Sequence, residues 1–127
     1  MRILGIDYGR KKMGLAISEG VLAQPYDVIK FDSIPQAIKK ILDIVKKEDL
    51  EKVVIGISEG KMEDEEREFG RMLGRYIKQP VDYFDETLTT HDAQTYSLQA
   101  GIKRSKRKAM EDAYAAALIL QNYLASF

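Results

Sequence analysis

The sequence contains no cysteine, so disulfides and thiolate metal sites are excluded. It holds a single histidine, His91, which by itself cannot build a zinc site. No credible Ser-His or Cys-His arrangement is present, so catalysis through a protein nucleophile has no support. No apolar run approaches the length of a membrane span, and the N-terminus lacks the layout of a signal peptide. A cytoplasmic protein is the expectation from these absences. Charge of one sign is also not in excess. Lysine plus arginine and aspartate plus glutamate number 20 each, so net charge gives no argument for a nucleic-acid partner. Repeats, low-complexity stretches and interdomain linkers are absent as well.

What is present is 127 residues of ordinary globular composition, 45% hydrophobic and 31% charged. That length fits one domain, residues 1–127, with enough chain to bury a core. The charges are unevenly placed. Acid gathers in Glu63-Asp64-Glu65-Glu66, and base gathers in Lys103-Arg104-Ser105-Lys106-Arg107-Lys108. Such runs are most often solvated surface, although the basic one is able to meet phosphates.

The aliphatic run Ile3 to Ile6 leads directly into Asp7, followed by a glycine turn, the basic cluster Arg10-Lys11-Lys12, and a second apolar run, Met13 to Ile17. Period and turn chemistry predict a strand, a tight hairpin and a returning strand, with Asp7 at a strand end. A third strand is expected over 26–30. Ser33 reads as a helix N-cap with Gln36 able to close a capping box, and apolar residues from Ile34 to Val45 follow at helical spacing. Val53 to Ile57 suits a strand covered on both faces. A second helix is expected from Met62 to Lys78, its acidic first turns matching the helix dipole. Val81 to Phe84 forms another strand, Thr89 begins a third helix closed by Gly101, and Ala109 to Phe127 forms a last, nearly all-apolar helix. Three antiparallel strands followed by alternating helix and strand imply a mixed α/β sheet covered by helices.

Three groups of acids fall where strands or helices meet a cleft: Asp7, then Asp85 and Glu86, then Asp112 beside Glu111. A turn role for Asp7 and a dipole role for Asp112 are the plainer readings. Together, oxygen-only ligands suit magnesium or manganese. Two such ions about 4 Å apart activate water and stabilise the leaving oxygen of a phosphodiester. Tyr8, Tyr83, Phe84 and Tyr114 lie near these acids, where stacking on bases competes with simple packing. His91 reads as a surface helix residue, with help in proton transfer as its alternative.

Three motifs resemble those of the YqgF family, also called RuvX. They are Gly5-Ile6-Asp7-Tyr8-Gly9 with Gly14, then Asp85-Glu86-Thr87-Leu88-Thr89-Thr90, then Asp112-Ala113-Tyr114-Ala115-Ala116-Ala117-Leu118-Ile119-Leu120. The resemblance covers essentially the whole chain. It implies a ribonuclease H-like fold, a five-stranded mixed sheet with helices on both faces, and a metal-dependent nuclease that uses Mg2+ or Mn2+. The implied role is maturation of the 5′ end of pre-16S ribosomal RNA, with a ribosomal precursor particle as partner. Holliday junction resolution on branched DNA is the alternative, and a non-catalytic RNA- or ribosome-binding module is another.

Carried over by position, Asp7, Glu86 and Asp112 are the metal-binding and catalytic acids, with Asp85 in reserve. Arg10, Lys11, Lys12, Lys103, Arg104, Lys106, Arg107 and Lys108 would hold the nucleic-acid backbone. Two departures stand out. Thr87 occupies a position where the family usually has arginine, and the segment after Ile57 is shorter than is usual; because related folds take a catalytic acid from the fourth strand, the resemblance makes Glu59 an additional candidate. An actin or sugar-kinase type ATPase has a similar hairpin, but it uses two such domains around its nucleotide.

Overall fold

The computed structural model describes residues 1–58, 60, 62–85 and 109–127. Its strands are β1 (Ile3–Asp7), β2 (Lys12–Glu19), β3 (Leu22–Lys30), β4 (Lys52–Ile57) and β5 (Val81–Asp85). Its helices among these residues are α1 (Ile34–Lys47), α2 (Glu63–Gly74) and α3 (Glu111–Ala125). The five strands form one sheet in the order β3-β2-β1-β4-β5. β1, β2 and β3 pair antiparallel, whereas β4 runs parallel to both β1 and β5. The mixed sheet expected from the sequence is the one observed.

Alternation along β1 sorts the two cores. Leu4, Ile6 and Tyr8 join Met13, Leu15 and Ile55 in a core closed by α1 and α2. Ile3 joins Ala16, Ala23 and Val54 in a second core closed by α3. The helices therefore cover both faces, and the inner strands β1, β2 and β4 bury side chains on both sides of the sheet. A buried Ser18 hydroxyl accepts the Ile3 N–H at 3.0 Å. Among the described residues no buried side-chain nitrogen or oxygen lacks a hydrogen-bond partner.

α1 begins as its sequence predicts: the Ser33 hydroxyl accepts the Gln36 N–H at 3.3 Å, and Pro35 sits in the first turn. The Gln36 side chain closes back on the Asp32 N–H, one residue before the cap, at 2.6 Å.

Two boundaries differ from expectation. β3 starts at Leu22 rather than Tyr26, running through Pro25. An edge strand tolerates proline because one side of its backbone faces solvent. A bulge between Leu15 and Ala16 in the β2–β3 register takes up the irregularity. α2 ends at Gly74 rather than Lys78, and tight turns from Met72 and Leu73 to Arg75 and Tyr76 close it. Tyr76, inside the helix expected from Met62 to Lys78, is exposed. The third helix expected from Thr89 lies outside the described residues.

Candidate active site

Asp7 closes β1 on the same face as Ile3 and Gly5, the face that α3 covers. Its register partner across the hairpin is Gly14. Two glycines let α3 lie directly on this part of the sheet. A Cβ at Gly5 would come within 2.9 Å of the Leu120 Cβ. A Cβ at Gly14 would stand 1.8 Å from the backbone carbonyl oxygen of Asp112, far inside contact distance. The first turn of α3 therefore rests against the residue opposite Asp7. Asp7 and Asp112 are brought to one end and one face of the sheet by this contact. Both are half-buried.

The basic cluster after Asp7 is tied down by the acids around it. The Lys12 ammonium lies 3.1 Å from Asp112 Oδ2. Arg10 Nε lies 3.1 Å from the Glu65 carboxylate in the first turn of α2. The buried Tyr8 hydroxyl donates to the same carboxylate at 2.8 Å. Burial, then the bond to Glu65, pushes the Tyr8 phenol well above its ordinary range. The Arg10 and Tyr8 hydrogen bonds hold Glu65 below the ordinary glutamate range. α2 thus fastens the turn that follows Asp7. Tyr8 and Tyr114 are both buried, so these rings pack into the protein interior. Phe84 meets Tyr123 edge-on at 6.0 Å between ring centroids, which is also a packing role.

Asp85 ends β5 on the other face. Tyr83, two residues earlier, packs on α2 and donates its hydroxyl to the Arg67 carbonyl at 3.2 Å. Asp85 lines a small cleft of about 230 Å³ with Tyr83, Ile57, Glu63 and Arg67. The structure therefore places Asp7 and Asp112 on the α3 face of the sheet and Asp85 on the opposite face. Among the described residues no group of three or more acids or histidines is placed to share a metal ion. Glu59, Glu86, Thr87, His91, Lys103, Arg104, Lys106, Arg107 and Lys108 lie outside the described residues. The Asp7–Asp112 end still suits a hard cation. Its donors are carboxylate oxygens, and Asp112 already accepts the positive charge of Lys12.

The acidic run hides a feature its composition does not suggest. Glu66, read as solvated, is 3% exposed. Its carboxylate accepts the Ser58 N–H at 3.0 Å and the Ser58 hydroxyl at 3.2 Å. Burial raises its pKa above the ordinary glutamate value, against the opposing pull of the Ser58 bonds. It thereby holds the segment that leaves β4. The signal was in the spacing: residues 66, 69, 70 and 73 form one buried stripe of α2.

Comparison with known proteins follows the same outline. The family model described as "RuvX: Holliday junction resolvase" matches residues 1–126. A protein of Caldanaerobacter subterraneus subsp. tengcongensis, named "Putative pre-16S rRNA nuclease", is 38% identical across 99% of this chain and 97% of its own length. A Lactococcus lactis subsp. cremoris protein of the same name is 38% identical across 97% and 93%. Among solved structures, Thermus thermophilus RuvC in complex with a Holliday junction substrate superposes with a TM-score of 0.68 at 16% identity, covering 99% of this chain and 94% of that one. The fowlpox virus resolvase, in complex with Holliday junction DNA, superposes with a TM-score of 0.65 at 13% identity, covering 99% and 98%. At such identities the likeness is one of fold.

Proposed function

Because this chain belongs to the RuvX family, with its ribonuclease H-like fold, we propose that it is a nuclease that matures the 5′ end of pre-16S ribosomal RNA. The observation that carries the reading is the seating of α3 on Gly14, which sets Asp112 beside Asp7 on one face of the sheet. In this reading residues 1–127 form one catalytic domain, acting in the cytoplasm on nucleic acid within a ribosomal precursor particle.

Asp7 and Asp112 would hold Mg2+ or Mn2+ with their carboxylate oxygens, with Glu86 as the third ligand of the set. Phe84 shares the α3 face whereas Asp85 lies on the opposite one, which counts against Asp85 as a third ligand beside Asp7 and Asp112. Glu59 stays an additional candidate, following Ser58. An ion held there would supply activation of the attacking water and charge stabilisation at the leaving oxygen. The protein's own groups position the strand. Lys12 neutralises Asp112 until a phosphate approaches, and Arg10, Lys11 and the basic run 103–108 bind backbone phosphates without reading sequence. Glu65 fixes the turn between Asp7 and Lys12, so the acid and the cation keep their spacing.

The family description favours one second reading, cleavage of a four-way DNA junction. The test compares a pre-16S RNA with a four-way junction, in magnesium and then manganese, for the wild-type chain and Asp7→Asn. Cleavage of the RNA, abolished in Asp7→Asn with folding intact, is the expected outcome. Cleavage of the junction alone selects the second reading. Undiminished cleavage by the variant overturns the assignment of Asp7, and no cleavage by folded wild type favours a non-catalytic binding module.

A further inference from the structure

Lys12 and Lys30 face each other directly in the β2–β3 ladder. Like charges at paired positions of a sheet destabilise it. Lys11 precedes this pair, and its carbonyl accepts the Phe31 N–H at 3.2 Å, which extends the ladder past the strand ends. Lys40, from the second turn of α1, reaches over to donate to the Lys30 carbonyl. These groups and Arg10 line a cleft of about 810 Å³, in which Asp32 is the only carboxylate among the described residues. Five cations against one acid make the wall strongly positive. Arg10 is engaged with Glu65 and Lys12 with Asp112, whereas Lys11, Lys30 and Lys40 make no ion pair among the described residues.

We propose that this cleft binds the phosphate backbone of a base-paired nucleic-acid segment adjoining the cleaved position. The proposal rests on the nuclease reading above and extends it to the shape of the substrate. Continuity with the candidate active site is direct, because Lys12 lines the cleft and contacts Asp112. A backbone lying in the cleft therefore leads to the acids within a few nucleotides.

The lining decides between paired and unpaired strands. Unpaired strands are held by bases stacked on exposed aromatic rings. Among the described residues the cleft's one aromatic is Phe31, which is 8% exposed and packed into the core beneath α1. Gln36, its remaining amide, is occupied in closing the start of α1. What the described lining presents is ammonium groups on two strands and a helix beside the Arg10 guanidinium, and no aromatic platform for a base is among these residues. A double helix, whose bases are turned inward and whose phosphates lie outermost, matches that surface.

The test is the binding of the full chain, without added divalent metal, to a labelled RNA duplex, a DNA duplex and an unpaired RNA strand of equal length. Wild type is compared with Lys30→Gln/Lys40→Gln, whose melting curve checks folding. The expected result is duplex affinity lowered about tenfold, with the slope of log affinity against log salt shallower by about 2, one unit per lost phosphate contact. Affinity for the unpaired strand should hold within about twofold. The two duplexes show whether the arm is RNA, DNA or either. Equal losses on duplex and unpaired strand, or no loss on either, overturn the proposal. Failure of the wild type to bind any of the three overturns the nuclease reading with it. Normal cleavage by Asp7→Asn alongside the expected binding pattern overturns only the assignment of the acids.

Discussion

The two faces of the sheet are built from side chains of different size, and they accomplish different things. Toward α1 and α2 the sheet presents Leu4, Ile6, Met13, Leu15 and Ile55, which meet Ile38, Ile41, Phe69 and Leu73. Toward α3 it presents Gly5, Gly14, Ala16 and Ala23 beside Ile3 and Val54, and these meet Ala116, Ala117 and Leu120. Large side chains bury most apolar area, so the first face contributes most to stability. Small ones let helix backbone approach strand backbone, so the second face fixes position. The candidate acids Asp7 and Asp112 both belong to the face of small residues. Placement of carboxylates and burial of oil are thus assigned to opposite sides of one sheet.

Truncation on the large-residue face should separate these roles most clearly. Ile41 is fully buried in α1, and Ile41→Ala is expected to cost about 2–5 kcal/mol in urea unfolding. The cleavage rate per folded molecule should stay near wild type. A rate loss in excess of the unfolded fraction would show that the faces are coupled.

The converse change acts on the small-residue face. Gly14→Ala drives a Cβ into the Asp112 carbonyl and should displace the first turn of α3. Overpacking of this kind costs about 1–3 kcal/mol. Displacing a reacting group by about an ångström costs up to about 10²-fold in rate, so cleavage should fall further than stability predicts. Cleavage that simply tracks the folded fraction would remove Gly14 from the positioning of Asp112.

The smallest effect concerns Glu66, a charge held on the large-residue side. Its carboxyl pKa is raised in the folded state above the ordinary 4.5. The folded protein therefore holds this proton more tightly than the unfolded chain does. Its contribution is fully present below the unfolded pKa and is lost as pH rises through the folded value. Glu66→Gln, which keeps an acceptor for Ser58, should be more stable than wild type at neutral pH. The advantage should shrink on acidification through that window. Thermal melts of both proteins across pH check it, and a constant difference would mean that the carboxylate is not the cause.

Much of this was legible along the chain. The aliphatic run into Asp7, the Ser33 cap and the apolar α3 each declare themselves within a few residues, because period and capping are local properties. β3 was half missed because Pro25 looks like a strand start, and only its edge position makes it a strand interior. The helical spacing runs on through Tyr76 and Ile77, but the backbone abandons it after Gly74, so spacing alone overstates α2. Glu66 was hidden by its acidic neighbours, although its position in the stripe through Phe69 and Leu73 was available. The seating of Asp112 on Gly14 was beyond reach. Nothing in the spacing of residues 14 and 112 states that a helix will rest there, and the contact exists only after the sheet order is set.

The outer edge of β3 has a consequence for the company this protein keeps with itself. An open strand edge invites a second chain to add its own strand, the first step toward ordered aggregation. Here several of the donors such a visitor needs are withheld. Pro25 brings no N–H, the Ala23 N–H goes to the Gln121 side chain at 3.0 Å, and the Val28 N–H goes to the Asp27 carboxylate at 2.8 Å. The bulge beside Pro25 bends the strand away from the flat line a neighbour would follow. The irregularities of β3 act as a fence that lets the sheet end in water.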